Sequence, residues 1–321
     1  MAKILILRFS SIGDIVLTTP VIRAVKNQVK NSTVHYCTKP NFKSILESNP
    51  YIEKVHCLEN SVSSLIEELK KENFDFVIDL HNNLRTSIIK IGLGVPSGSF
   101  NKLNFKKWLL VNLKINRLPN LHIVDRYLKA GSSLGIKEDG KGLDYFIPEK
   151  DLVDPTIISD ELKNGYIAFA IGAQHFTKRL PKEKIIELCL KISLPILLMG
   201  GKEDKNTGEE IAKKLNIQKR LVFNTCGTFN LNQSASLIKQ ANIVFSHDTG
   251  LMHIAAAFGK EIYSIWGNTV PEFGMYPYKT NYYSLQCKEL NCRPCSKIGY
   301  ERCPKGHFNC MNSQDFSSVN L

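Results

Sequence analysis

Four short runs in this chain gather residue types that can do chemistry. Ser10-Ser11-Ile12-Gly13-Asp14 follows an apolar run, which puts Asp14 where a strand hands over to a helix. A carboxylate there can serve as acid or base toward a substrate hydroxyl. Asp near a helix start is also a common cap, and spacing alone leaves both roles open. Its charge makes this turn a poor phosphate cradle. Ser246-His247-Asp248-Thr249-Gly250-Leu251-Met252-His253 is the opposite case. The Asp248, Thr249 and Gly250 amides and the Thr249 hydroxyl point at an incoming anion, Gly250 lets it approach, and a diphosphate fits. His253, one turn on, either meets a phosphate or packs in a core. Gly172-Ala173-Gln174-His175-Phe176-Thr177-Lys178-Arg179-Leu180-Pro181 adds paired cations, and Lys178 or Arg179 can neutralise a leaving phosphate. Gly200-Gly201-Lys202-Glu203-Asp204 offers acidic groups to sugar or ribose hydroxyls. Neither GxGxxG nor GxxxxGK[ST] occurs, so dinucleotide and Walker loops are absent.

These runs must be positioned by regular elements, and the chain alternates strand and helix nearly throughout. Short apolar runs at 3–9, 33–37, 52–58 and 74–80 predict strands, with helices at 15–29, 42–47, 61–71 and 83–91. Pro20 is the one awkward residue in the first helix. Residues 94–135 are less regular, with a helix at 124–134. A charged, loop-like stretch over 137–163 carries Pro148 and Pro155 and places a domain boundary near 155. Beyond it, strands at 166–171, 195–199, 220–223, 242–246 and 261–265 alternate with helices at 181–192, 206–215, 231–240 and 251–258. Strands joined by helical crossovers make a parallel, doubly wound sheet. The expectation is therefore two α/β domains, 1–155 and 156–321, with chemistry on loops after strands facing a central cleft.

Composition narrows the partners. The 321 residues carry 42 Lys and Arg against 30 Asp and Glu, a net +12. That surplus calls for anionic partners: nucleic acid, membrane surface or phosphorylated small molecules. No acidic residue lies between Asp79 and Asp125, while Arg85, Lys90, Lys102, Lys106, Lys107, Lys114 and Arg117 do. Phe100, Phe105, Trp108 and Leu113 interleave with these cations. Such a segment suits an anionic membrane or an amphiphilic acceptor; a helix packed on its own domain with snorkelling lysines has the same pattern. No helix-turn-helix, OB or RRM signature accompanies the charge, so nucleic acid is excluded as the expected partner. No apolar run reaches membrane-spanning length. The N-terminus does not read as a signal peptide, and the expected location is cytoplasmic, with peripheral contact at the inner membrane face.

Arg8-Phe9-Ser10-Ser11-Ile12-Gly13-Asp14 with Thr19-Pro20, and Asp248-Thr249-Gly250-Leu251-Met252-His253-Ile254-Ala255-Ala256, resemble the two signatures of glycosyltransferase family 9. Lys178-Arg179-Leu180-Pro181 and Gly201-Lys202-Glu203 occur between them in the family's order. The family contains the ADP-heptose:lipopolysaccharide heptosyltransferases. The resemblance implies a GT-B fold, two Rossmann-like domains with the active site between them. It also implies inverting sugar transfer from a nucleotide diphosphate sugar to a lipid-linked anionic glycan, with no metal and no cofactor. Asp14 then matches the catalytic carboxylate. Lys178, Glu203, Asp248, Thr249, Gly250 and His253 match the donor site, and Phe229 an apolar contact to adenine. Lys102, Lys106 and Lys107 are expected on the acceptor side. The chain departs from the family at Ala173 and Gln174, where Thr or Ser is frequent, and at Leu180, where an aromatic is common.

Other functions share these residues. An epimerase or hydrolase on the same scaffold would act on the nucleotide sugar alone. A non-catalytic nucleotide- or membrane-binding protein would use Asp14 only as a cap. The tail raises a separate question: Cys287, Cys292, Cys295, Cys303 and Cys310 fall within the last 35 of the 321 residues, with His307 among them. Cys292-Arg293-Pro294-Cys295 has zinc-ligand spacing, and packed free thiols are the other reading; neither gives the tail a catalytic role.

Overall fold

The computed structural model describes residues 2–319 and 321. They fold as two compact units. The first runs to Lys102 and takes up Leu121–Phe146; the second combines Leu103–Asn120 with Ile147–Leu321. The division after Phe146 differs from the expected boundary at 155. The larger difference is that 103–120 joins the second unit. Its Leu110 buries against Val270 and Phe273. Apolar packing with residues far along the chain decides membership there, and sequence proximity does not.

The first unit holds one parallel sheet: β1 (Ala2–Leu7), β2 (Ser32–Thr38), β3 (Lys54–Cys57), β4 (Phe76–Asp79) and β5 (Ser97–Ser99). Its order is β3-β2-β1-β4-β5. β1 and β2 are almost wholly buried, as strands with both faces covered must be. The expected helix at 15–29 is two: α1 (Ile12–Val16) and α2 (Thr19–Gln28). Pro20 sits in the first turn of α2, where its missing N–H costs nothing. The expected helix at 42–47 is a 3-10 turn, Pro40–Ile45. α3 (Val62–Lys70) is capped by the Ser61 hydroxyl and α4 (Leu84–Leu93) by Asn83. In 103–120 lie α5 (Asn104–Trp108) and a π turn, Leu109–Leu113. α6 (Ile123–Lys129) returns the chain to the first unit.

The second unit holds six parallel strands: β6 (Ile167–Ala170), β7 (Ile196–Met199), β8 (Val222–Asn224), β9 (Ile243–His247), β10 (Glu261–Trp266) and β11 (Tyr282–Gln286). The order is β11-β10-β9-β6-β7-β8. The helices are α7 (Lys182–Cys189), α8 (Lys205–Ile217), α9 (Leu231–Gln240), α10 (Gly250–Ala257) and, in the tail, α11 (Asn309–Asn312). β11 was not expected. It pairs with β10 through Ile262↔Tyr282 to Trp266↔Gln286, and no α-helix lies between them to announce a crossover. The tail closes this core, with Phe308, Cys310, Met311 and Phe316 buried among Ile185, Leu188 and Ile265.

Both orders reverse direction once. The first sheet grows outward from β1 to β3 and then returns to β4 on the other side of β1. The second grows from β6 to β8 and returns to β9 beside β6. At such a switch point the neighbouring loops part and leave room for a ligand at the strand C-termini. Asp14 follows β1 and His81 follows β4. Lys178 follows β6 and Asp248 follows β9. Three of the four sequence-predicted runs thus fall on loops that flank the two switch points, and Gly200–Asp204 follows β7, the strand next to β6.

Candidate active-site groups at the two switch points

In the first unit Asp14 is the third residue of α1. Its Oδ2 accepts from the Ser11 N–H at 3.2 Å and the Ser11 hydroxyl at 2.9 Å. Its Oδ1 meets the Arg8 guanidinium at 2.7 Å. So the capping contact is real, and it coexists with an ion pair that a plain cap does not need. Arg8 is only 8% exposed and donates to the Leu80 carbonyl at 2.6 Å and the Ser10 carbonyl at 2.7 Å. It links the loop after β1 to the end of β4 and packs over the Tyr127 ring, 5.8 Å from its centroid. Burial by itself would raise the Asp14 pKa. The Arg8 charge and the Ser11 hydrogen bonds outweigh burial and hold it below the usual carboxylate range. The Asp14 side chain keeps 21% of its surface exposed, so the anion remains accessible.

His81, beside this group, has no counterpart in the sequence reading. Burial and the Arg8 and Lys102 charges push its pKa down to about 4, so the ring is neutral at neutral pH. Its buried Nδ1 has no hydrogen-bond partner. The run Asp79–Asn82 ends a strand at a switch point, which is the signal that could have found it. Asp79 is fully buried; it accepts from the His81 and Asn82 amides at 3.0 and 2.6 Å and pairs with Lys90 at 3.1 Å.

In the second unit Lys178 Nζ meets the Asp248 carboxylate at 2.7 Å and donates to the Asp248 carbonyl at 3.1 Å. The Thr269 hydroxyl holds the same carboxylate at 2.8 Å. An ammonium has three donors, and Asp248 fixes the direction of this one. Thr249 is the N-cap of α10, its hydroxyl 3.3 Å from Ser246 Oγ. The first-turn amides of that helix have no intrahelical acceptor and are disposed toward an anion. His247 Nε2 accepts the Leu180 N–H at 2.9 Å and ties the Lys178 loop to β9. Burial lowers the His247 pKa to about 4, which keeps that acceptor nitrogen free of a proton. Gly250 begins α10, and His253 is 2% exposed inside it.

The remaining candidates divide. Arg179 donates to the Ala173 carbonyl at 2.7 Å and lies 3.7 Å from Asp204, so it braces its own loop while Lys178 faces Asp248. Asp204 accepts the Gly201 amide at 2.9 Å. A β-carbon at Gly172 would fall 2.1 Å from its carboxylate, which explains the glycine there. Glu203 is exposed on the 3-10 turn Lys202–Asp204. Phe229 is half-buried between β8 and α9.

The three lysines expected on the acceptor side do not share a unit. Lys102 belongs to the first, whereas Lys106 and Lys107 lie on α5 in the second. The Lys107 ammonium is 5.9 Å from the Phe273 ring centroid. Lys114 donates to the Cys292 and Pro294 carbonyls at 3.2 and 2.7 Å and pins this segment to the tail. The acid-free stretch is therefore split between two packing environments. In the tail all five thiols are unbridged, as are the other four cysteines. The tail's Cys292 Sγ lies 3.9 Å from His307 Nε2. Among the described residues, the tail does not bring three such ligand atoms within 4.8 Å of one another.

Known proteins are similar to this chain in sequence and in fold. The family model for glycosyltransferase family 9 (heptosyltransferase) matches residues 62–303. Lipopolysaccharide heptosyltransferase 1 of Campylobacter coli is 25% identical over 304 residues, 87% of each chain. The solved glycosyl transferase family 9 structure from Veillonella parvula superposes with a TM-score of 0.72 at 21% identity, covering 97% of both chains. The structure of Escherichia coli ADP-heptose lps heptosyltransferase II gives 0.69 at 19% identity, covering 97% of this chain and 98% of that one. The fold is GT-B, and, with the family model spanning about three quarters of the sequence, the chain belongs to glycosyltransferase family 9 and is a glycosyltransferase.

Proposed function

We propose that this enzyme transfers heptose from ADP-heptose, with inversion and without a metal, to a lipid-linked anionic glycan of the lipopolysaccharide-core type. The observation that carries this reading is Asp14, kept ionised by Arg8 and Ser11 yet still accessible. A sugar hydroxyl is a weak nucleophile at neutral pH, and a carboxylate in reach can take its proton as it attacks the anomeric carbon. A base of depressed pKa is weak, so the proton moves late, when bond formation has made the hydroxyl acidic. The departing diphosphate gains charge, and Lys178 with the Thr249–Gly250 amides answers it. Glu203, Phe229 and His253 complete donor recognition in this reading. The similarity to lipopolysaccharide heptosyltransferase 1 of Campylobacter coli and to Escherichia coli ADP-heptose lps heptosyltransferase II supports the choice of sugar and base.

The anionic acceptor is met by Lys102, Lys106 and Lys107, and the enzyme touches the membrane face peripherally. Phe105 and Trp108 support this contact: they are 71% and 51% exposed, their rings stacked beside Lys106. Among the described residues no helix is long and apolar enough to cross a membrane.

The test is to supply ADP-heptose with a core acceptor truncated before its heptose residues, in EDTA. ADP release that needs the acceptor, and a product of opposite anomeric configuration, are expected. Release of sugar without acceptor would refute transfer in favour of hydrolysis. A thermal-shift preference for UDP or GDP over ADP would refute the donor.

A further inference from the structure

A second group of chemistry-bearing side chains lies at the other end of the first sheet. Asp14 follows the C-terminal end of β1; this group adjoins Lys3, near its N-terminal end. His35 on β2 and His56 on β3 project from one face, because Cys37, two residues beyond His35, is the register partner of His56. Their rings stack with centroids 5.3 Å apart, and His35 Nδ1 lies 3.0 Å from His56 Nε2. The two residues are 3% and 1% exposed. Glu68 and Glu72 reach them from α3 and the turn beyond it. Glu68 Oε1 takes the His56 Nδ1 side at 2.6 Å, and Glu72 meets Lys54 at 2.7 Å and Lys3 at 3.1 Å. The Phe74 ring stands edge-on to both imidazoles. Among the described residues, His35, His56 and Glu72 form the one group of three whose ligand atoms all lie within 4.8 Å of one another.

We propose that His35, His56 and Glu72 hold a single divalent cation of the zinc class, which ties the edge strand β3 and the end of α3 to the sheet. Two imidazole nitrogens and a carboxylate oxygen suit such an ion. Glu68 supplies the feature that separates a ligand histidine from a packed one. A carboxylate on Nδ1 fixes the tautomer and turns the His56 Nε2 lone pair toward the cation. Widening the nitrogen separation from 3.0 Å to roughly 3.3 Å admits a tetrahedral ion with Zn–N of ~2.0–2.1 Å. Glu72 has about four acceptor positions, and its two lysines leave room for a metal bond. Lys54 is half exposed and free to swing outward. The role is structural, since the cluster lies at the opposite end of β1 from Asp14.

Titration of the intact chain with Co2+, followed by absorption, tests this. One saturable set of d–d bands without thiolate charge transfer is expected. It is lost in His56→Gln, weakened about tenfold to a hundredfold in Glu72→Gln, and unchanged in the Cys292→Ser, Cys295→Ser double variant. Zn2+ raises the thermal midpoint of the parent and leaves that of His56→Gln in place. Glu72→Gln, at the margin of the cluster, keeps the test valid should His56→Gln fold poorly. A thiolate band that vanishes with the cysteines, no saturable band, or undiminished affinity in Glu72→Gln would overturn the proposal.

Discussion

Each unit puts a carboxylate and a cation together at its switch point, and the two pairs are built in opposite senses. In the first, Arg8 is buried and spends its other contacts on the Leu80 and Ser10 carbonyls. It has little left for a ligand, and the accessible member is Asp14. In the second, Asp248 is engaged by Thr269 and accepts Lys178 through both its carboxylate and its carbonyl. There the carboxylate is the brace and the ammonium is the working group. The same kind of ion pair thus leaves a carboxylate accessible on one sheet and, in the proposed reading, directs an ammonium toward a diphosphate on the other. What decides is which partner other groups have already claimed: the Leu80 and Ser10 carbonyls hold Arg8, and the Thr269 hydroxyl holds Asp248.

Breaking the working group of each pair has the largest effects. Asp14→Asn keeps the shape and removes the base, so transfer falls by about 10²–10⁴-fold, with ADP affinity by calorimetry unchanged. Equal loss of ADP binding would collapse the distinction between the pairs. Lys178→Met removes one preorganised charge from the leaving diphosphate, and kcat falls by about 10²–10³-fold. Here ADP affinity falls too. Breaking a brace costs less. Asp248→Asn leaves Lys178 in place but less directed, and the loss of one charge-assisted contact, about 1.5–3 kcal/mol, appears mainly as a raised KM for the donor. Arg8→Met removes the strongest influence holding the Asp14 pKa down, so the acid limb of the pH–rate profile moves to higher pH. An unmoved limb would show that Arg8 does not tune Asp14.

The smallest effect is on stability. The Asp14 pKa is depressed in the folded chain, so the pair stabilises above the unfolded pKa. That contribution is lost as pH falls through the lower, folded value. Acid denaturation of Asp14→Asn should therefore be less steep than that of the parent at the acid end.

Much of this was legible because local rules and tertiary packing agree. Leu231–Gln240 folds over the residues its periodicity marks, and Asn230 caps it. Ser61 and Asn83 begin their helices as hydroxyl and amide caps do. Where context overrides pattern, the reading failed. β11 pairs along β10 although most of its residues are partly or fully exposed and no α-helix lies between the two strands. Residues 103–120 look continuous with the first half and pack in the second, because Leu110 finds Val270 and Phe273.

The sequence by itself determined the alternation of strands and helices, the two charged switch-point runs and the family, because all three are written in residue type and spacing. Only the tertiary structure decided that Arg8 serves Asp14, that Asp248 serves Lys178, and that Arg179 turns back on its own loop. It also decided that His81 stands neutral beside Arg8, and that Thr269 and His247 hold the loops after β9 and β6. The widest of the hydrogen-bonded pairings, Lys178 with Asp248, joins residues 70 positions apart. Strand order brings the distant pairs, Lys178 with Asp248 and Leu180 with His247, within hydrogen-bond reach.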